Sequence, residues 1–259
     1  MRAPSMTTPL LQVRSLAKHF QGLRAVDDVS FDVQCGELVG LIGPNGAGKS
    51  TLFNCVAGAI PRTSGDVAFN GKPIAGLDPV RIARLGIART YQNLRIFPDI
   101  TVFDNVSAGA IGRIGVSLLG TLVPALARRH DEAIAEATLS ALSRFGLLDY
   151  ADQPAGNLAY GQKKLLEIAR ALALQPTLLL LDEPAAGLNE TETAELATLL
   201  RTLRATGLTI LLVEHDMPMV MRICDRIVVL ESGRKIADDV PAAIRANAAV
   251  RTAYLGDET

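Results

Sequence analysis

The stretch Gly43-Pro44-Asn45-Gly46-Ala47-Gly48-Lys49-Ser50-Thr51 constrains this chain more than any other. It follows the pattern of a phosphate-binding loop: glycine, four residues, glycine, lysine, then serine or threonine. Before it, Leu38-Val39-Gly40-Leu41-Ile42 reads as a short buried strand. After it, Leu52, Cys55, Val56 and Ala59 recur at helical spacing, and Pro61 is the expected stop. A loop placed between a strand and a helix N-terminus can wrap an anion in backbone N–H groups, because its glycines remove Cβ clashes. The helix dipole adds positive potential. Lys49 is then expected to reach the β- and γ-phosphates of a nucleotide, and the Ser50 hydroxyl to ligate Mg²⁺.

The rest of the composition excludes more than it assigns. The chain has 259 residues, 49% hydrophobic and 20% charged, enough for a substantial core and far from a disordered composition. A net charge of −1, from 26 basic and 27 acidic residues, gives no reason to expect a nucleic-acid partner. Cys35, Cys55 and Cys224 are scattered and form no C-x-x-C pair, which argues for a reducing compartment and against zinc or a disulfide framework. Met1 to Pro9 carries Arg2 with no apolar run behind it, so no signal peptide is expected. No apolar run reaches the roughly 18 residues of a membrane span. The nearest approach, Ile114 to Ala127, is broken by Gly115, Gly120 and Pro124 and suits a buried or interfacial segment.

Taken in order, Leu10 to Phe20 and Val26 to Val33 read as paired strands turning at Gln21-Gly22. Ser64-Gly65-Asp66 and Asn70-Gly71 punctuate a hairpin around Val67 and Phe69. Pro79 to Leu85 reads as a helix, and Ile87 to Tyr91 as a strand ending at Gln92. From about Asn105 to Asp152 the alternation stops, and Ile134, Ala137, Ala141, Leu142 and Phe145 define a helical face closed by Gly146. A further helix carries Leu165, Ile168, Ala169 and Leu172 as far as Gln175-Pro176. Leu178 to Leu181 is an apolar strand running into Asp182-Glu183-Pro184. Leu196, Leu199, Leu200 and Leu203 mark another helix, and Thr209 to Val213 a strand delivering Glu214-His215-Asp216. A hairpin about Ser232-Gly233 and a helical tail from Pro241 to Leu255 complete the chain. Apolar strands alternating with amphipathic helices predict an α/β fold with a mostly parallel sheet covered on both faces.

Asp182 and Glu183 leave the C-terminal end of a buried strand, the edge from which the phosphate loop also opens. One carboxylate there can hold Mg²⁺ opposite Ser50, and the next can orient a water towards a γ-phosphate. His215 leaves a second buried strand at the same edge, within reach of that phosphate.

Gly43 to Thr51, Gln92, Leu158-Ala159-Tyr160-Gly161-Gln162, Leu178 to Pro184 and His215 occur in the order found in ABC-type ATP-binding subunits, and the chain resembles that family over nearly its whole length. The resemblance implies a P-loop NTPase (RecA-like) core with a mostly parallel sheet, N-terminal antiparallel strands and an inserted helical subdomain. It implies one domain over 1–259: core at about 10–95 and 160–240, helical insert at about 96–159, tail at 241–259. ATP and Mg²⁺ are the implied cofactors. Phe20 resembles the aromatic that stacks on adenine, Gln92 the glutamine that meets Mg²⁺ and the attacking water, Glu183 the catalytic base and His215 the switch histidine. Ala159, Tyr160, Gly161 and Gln162 occupy the signature that meets ATP held by a partner.

Together with Asp182 to Asn189, Glu214 to Met217 and Ala253-Tyr254-Leu255-Gly256, the signature resembles branched-chain amino-acid importers. Their implied partners are a second, dissimilar ATPase subunit, two membrane permease subunits and an extracytoplasmic solute-binding protein. The implied place is the cytoplasmic face of the plasma membrane. Ala159 and Tyr160 depart from the usual Leu-Ser-Gly-Gly-Gln, and Asn189 stands where aspartate is usual. Similar subunits serve urea and amide importers, and the same core serves exporters. A soluble ABC ATPase acting on DNA or ribosomes would need a long coiled-coil insert or two ATPase units in one chain. A degenerate module that switches without hydrolysis conflicts with intact Lys49, Asp182, Glu183 and His215.

Overall fold

The structure, a computed structural model, describes residues 8–114 and 124–255. Leu11–Phe20 (β1) and Leu23–Val33 (β2) form a hairpin whose turn residues, Gln21 and Gly22, both take positive φ. That backbone matches the twist of the flanking strands. Leu38–Ile42 (β3), buried at every position, leads through the phosphate loop into Lys49–Val56 (α1). Ser64–Phe69 (β4) returns beside β1, and with Lys72–Pro73 (β5) completes an antiparallel sheet ordered β2-β1-β4-β5. Pro79–Arg84 (α2), capped by the Asp78 side chain, precedes the short strand Ile87–Arg89 (β6).

Val102–Ile114 (α3) and Pro124–Arg144 (α4) follow, and both pack against Tyr160–Ala173 (α5). Gly109 lets α3 approach closely, since a Cβ there would strike the Arg170 carbonyl of α5. Then come Leu178–Asp182 (β7), Glu190–Ala205 (α6), Thr209–Val213 (β8) and Met217–Ile223 (α7). The hairpin Arg226–Glu231 (β9) and Arg234–Asp239 (β10) leads to the tail helices Pro241–Ala246 (α8) and Ala248–Leu255 (α9).

The second sheet is ordered β10-β9-β3-β8-β7-β6, parallel throughout except for its edge strand β10. Its side chains sort by the strand period of two. Leu178 and Leu180 pack with α1 and the antiparallel sheet, whereas Leu179 and Leu181 pack with α5 and α6. Both faces are therefore covered, one by a second sheet and α1, the other by helices. Because β3, β7 and β8 run parallel, the loops after them emerge at one edge.

Several boundaries differ from those expected. Helix α1 ends at Val56 well before Pro61, because Gly58 turns the chain at φ 67°. Its buried side is Leu52, Phe53, Val56 and Ala57, and Ala59 is exposed. Strand β6 stops at Arg89 and not at Tyr91; Thr90 makes one more backbone bond to Leu180 before the chain leaves the sheet. Ser64-Gly65-Asp66 lies inside β4, not before it. Helix α3 begins at Val102, where Thr101 Oγ1 accepts from Asp104 N at 3.0 Å. Residues 115–123 of the Ile114 to Ala127 stretch, and with them the packing expected there, lie outside the described residues, as does Gly256 of the tail motif.

Candidate functional site

The phosphate loop is wedged between β2 and the turn joining β9 to β10. Gly233 N donates to Ala47 O at 3.1 Å, and Asp27 N donates to Gly233 O at 2.8 Å. Two glycines are required by this wedge. At Gly43 (φ 155°) a Cβ would strike the Leu230 carbonyl, and at Gly48 (φ 94°) it would strike the Ala25 carbonyl. Gly48 caps α1 without a side chain, so the N–H groups of Lys49, Ser50 and Thr51 form the open first turn of the helix. Such a turn suits an anion. Lys49 is buried, and its Nζ donates to Gly43 O at 2.7 Å and Pro44 O at 3.0 Å. Burial pulls its pKa down, against the attraction of Glu183 and Asp182.

The acidic half of the site comes from β7. Asp182 is buried, with Oδ2 at 3.4 Å from Arg89 Nη2, and its N–H donates to Thr90 Oγ1 at 3.3 Å. Its Oδ1 has no hydrogen-bond partner among the described residues. Burial raises the Asp182 pKa, opposed chiefly by Arg89. An orphaned carboxylate oxygen in such a place fits a hard cation, which takes oxygen ligands. Glu183 sits in the left-handed region (φ 48°), a conformation costing on the order of 1–3 kcal/mol for a non-glycine residue. Its N–H donates to Val213 O at 2.9 Å, and its Oε2 accepts from Gln92 Nε2 at 2.8 Å.

Glu214, fully buried, staples the turn after β7 to the turn after β8. It accepts from Ala185 N at 2.8 Å, His215 N at 3.0 Å and Asp216 N at 3.4 Å. Burial raises its pKa despite these three donors. The neighbouring His215 ring is exposed, with Nδ1 3.7 Å from Glu214 Oε2. Phe20 ends β1 with its ring 44% exposed and Lys18 Nζ 4.7 Å above it.

The structure thus brings Lys49, Asp182, Glu183 and Gln92 to one place. Ala159, Tyr160, Gly161 and Gln162 open α5 and make other contacts within this chain. Tyr160 Oη donates to Ala186 O at 3.3 Å, and Gly161 lies against the Glu192 carboxylate. Ala159 caps α5 with no side-chain acceptor; Gln162 Oε1 takes its N–H at 3.0 Å. Asn189, where aspartate is usual, forms a capping box with Glu192 at the head of α6.

Sequence reasoning passed over Lys164 and Glu167, each only 3% exposed on α5 and directed at the segment after Thr90. The available signal was a pair of opposite charges three residues apart, flanked by Leu165, Leu166 and Ile168. Tyr254 was noticed only as part of a tail motif. Its buried hydroxyl lies beside the Gly43 N–H, and burial pushes its pKa up to about 12.

A family model described as ABC transporter matches residues 26–186, and one described as Branched-chain amino acid ATP-binding cassette transporter matches residues 234–259. The chain is 45% identical over 255 residues to the high-affinity branched-chain amino acid transport ATP-binding protein LivG of Salmonella typhimurium, covering 97% of this chain and 100% of that one. It is 43% identical over 255 residues, with the same coverage, to BraF of Pseudomonas aeruginosa, named for the same transport. The crystal structure of MJ1267, an ATP-binding cassette of an ABC transporter in its ADP conformation, superposes with a TM-score of 0.84 at 32% identity, covering 97% of this chain and 100% of that one.

Proposed function

From a chain that belongs to the ABC transporter family and is an ATP-binding, ATP-hydrolysing cassette, we propose the energising subunit of an importer for branched-chain amino acids. The observation that carries the substrate class is the match of residues 234–259 to a model specific to branched-chain amino acid cassettes. The full-length likeness to LivG and BraF supports it.

In this reading the loop Gly43 to Thr51 and Lys49 bind the β- and γ-phosphates, and Phe20 stacks on adenine. Ser50, Gln92 and Asp182 would hold Mg²⁺, whose charge offsets that of the phosphate oxygens when it is bound. Glu183 takes the proton of the attacking water, and its bond to Gln92 Nε2 at 2.8 Å places an amide beside it to orient that water. His215, exposed at the same edge, contacts the γ-phosphate. Ala159 to Gln162 act in trans, on ATP held by a partner's loop, while in their own chain Tyr160 and Gly161 lie against Ala186 and Glu192.

Residues of about 10–95 and 160–240 then form the ATPase core, 96–159 the helical insert and 241–259 the tail, all within one domain. Among the described residues no helix is long and apolar enough to cross a membrane. The assembly proposed is this chain, a dissimilar ATPase subunit, two permeases and an extracytoplasmic solute-binding protein, with the ATPases on the cytoplasmic face. The test is uptake of radiolabelled leucine into vesicles bearing the co-expressed complex with ATP on the ATPase side. ATP-dependent leucine accumulation, lost in Lys49→Ala, is expected. Urea accumulation without leucine accumulation contradicts the substrate assignment.

A further inference from the structure

Of the four charged side chains on helix α5, those at 164, 167 and 170 recur about one turn apart. All three are spent on the irregular segment that follows Thr90. Lys164 Nζ donates to Gln92 O at 3.4 Å and to Glu183 O at 3.3 Å. Glu167 Oε1 accepts from Tyr91 N at 3.2 Å. Arg170 Nη2 donates to Arg95 O, and its guanidinium lies 5.6 Å from the Phe97 ring centroid. The same segment makes further contacts: the Arg89 and Arg95 guanidinium groups lie over the Tyr91 ring at 4.7 and 4.4 Å. Asn105 of α3 takes Phe97 N and donates to Phe97 O, both at 2.9 Å.

Lys164 is the member of this ladder with two targets. It is buried, and its two acceptors are the main-chain carbonyls of the two residues whose side chains meet at 2.8 Å, Gln92 and Glu183. Glu183 is held in a left-handed conformation that its surroundings must maintain, and a buried ammonium on its carbonyl is one such restraint. An ammonium buried this deeply needs partners, and these two carbonyls are the hydrogen-bond acceptors found for it among the described residues. The helix that bears Lys164 also begins with Ala159 to Gln162, so a shift of α5 along its axis moves the lysine with the signature.

We propose that Lys164 is a positioning residue for hydrolysis: it fixes the backbone of Gln92 and Glu183 relative to α5, so that the orientation of the water-activating pair follows the position of the signature helix. Glu167 and Arg170 extend the same clamp along the segment. This rests on the reading above that Glu183 is the base, and the test separates the two. Steady-state ATP hydrolysis by the co-expressed complex, and affinity for the fluorescent analogue MANT-ATP and thermal melting of the full chain, are measured for Lys164→Met, Lys164→Arg, Glu167→Gln and Glu183→Gln.

Misplacement of a catalytic group by about 1 Å costs up to roughly 100-fold, so Lys164→Met should lower kcat at least about tenfold while the KM for ATP and MANT-ATP affinity change less than about twofold. Lys164→Arg, which can still donate to both carbonyls, should restore most of kcat. An unchanged kcat in Lys164→Met, with Glu183→Gln inactive, overturns the proposal and leaves the base assignment standing. An active Glu183→Gln overturns both. A fall in kcat matched by weaker MANT-ATP binding assigns Lys164 to general structure and also overturns it. If Lys164→Met does not fold, Glu167→Gln decides: a lower kcat at constant KM supports the clamp, and wild-type kcat refutes it.

Discussion

At the scale of single residues, the site is assembled from groups held in costly states. Lys49 is buried among its own loop carbonyls, Asp182 keeps an oxygen without a partner among the described residues, and Glu183 sits at positive φ. Such features cluster where strain and unpaired polarity are used in chemistry. His215 differs, since its ring is exposed and only its backbone is fixed, through Glu214. In the proposed reading its replacement removes a phosphate contact, and it empties no core position. His215→Ala is therefore expected to keep the wild-type melting temperature and ATP affinity while slowing turnover about tenfold or more, some 1.4 kcal/mol of barrier. Single-turnover hydrolysis in the assembled complex checks this, and unchanged turnover would make the histidine merely structural. The types of residue at the site were readable from the chain because each follows a locally recognisable strand. Their pairing was not: Gln92 and Glu183 are 91 positions apart, and nothing local encodes their bond.

At the scale of elements, local rules set most boundaries and long-range contacts moved the rest. The β1–β2 turn, α2 behind Asp78 and the end of α4 near Gly146 all follow from turn and cap chemistry. Helix α1 was read too long because Gly58, well before Pro61, already bends the chain beside Ile82. The charged face of α5 was missed because Lys164 and Glu167 look like solvated positions until the 91–97 segment folds over them. The head of α5 also has an unused opportunity. Ala159 sits at the N-cap with extended backbone and no acceptor, although Gln162 already supplies the reciprocal bond. Ala159→Ser should complete that capping box, adding about 0.5–2 kcal/mol and raising the melting temperature by about 1–8 °C. Differential scanning calorimetry of the isolated subunit measures it, and an unchanged or lowered midpoint would show that the cap geometry is otherwise satisfied.

At the scale of the whole molecule, the two sheets and the helical layer serve one edge. The β10–β2 contact is tied by Arg234 to Asp27 at 2.7 Å, next to the turn that supports the phosphate loop. The tail returns to the same loop through Tyr254, whose hydroxyl lies beside Gly43. In the proposed assembly the signature meets ATP held by a second subunit, and the absent hydroxyl at Ala159 would make the two sites of a mixed pair unequal. The chemistry proposed for this chain is binding of ATP by the Lys49 loop and cleavage with Glu183 as base. Its most direct measurement is equilibrium ATP binding and steady-state hydrolysis on Lys49→Ala and Glu183→Gln side by side. Lys49→Ala should lose most binding, since a charge-assisted bond contributes about 1.5–3 kcal/mol, and Glu183→Gln should bind ATP like the wild type while turnover collapses. Equal loss of ATP affinity in both variants, or turnover surviving in Glu183→Gln, would contradict it.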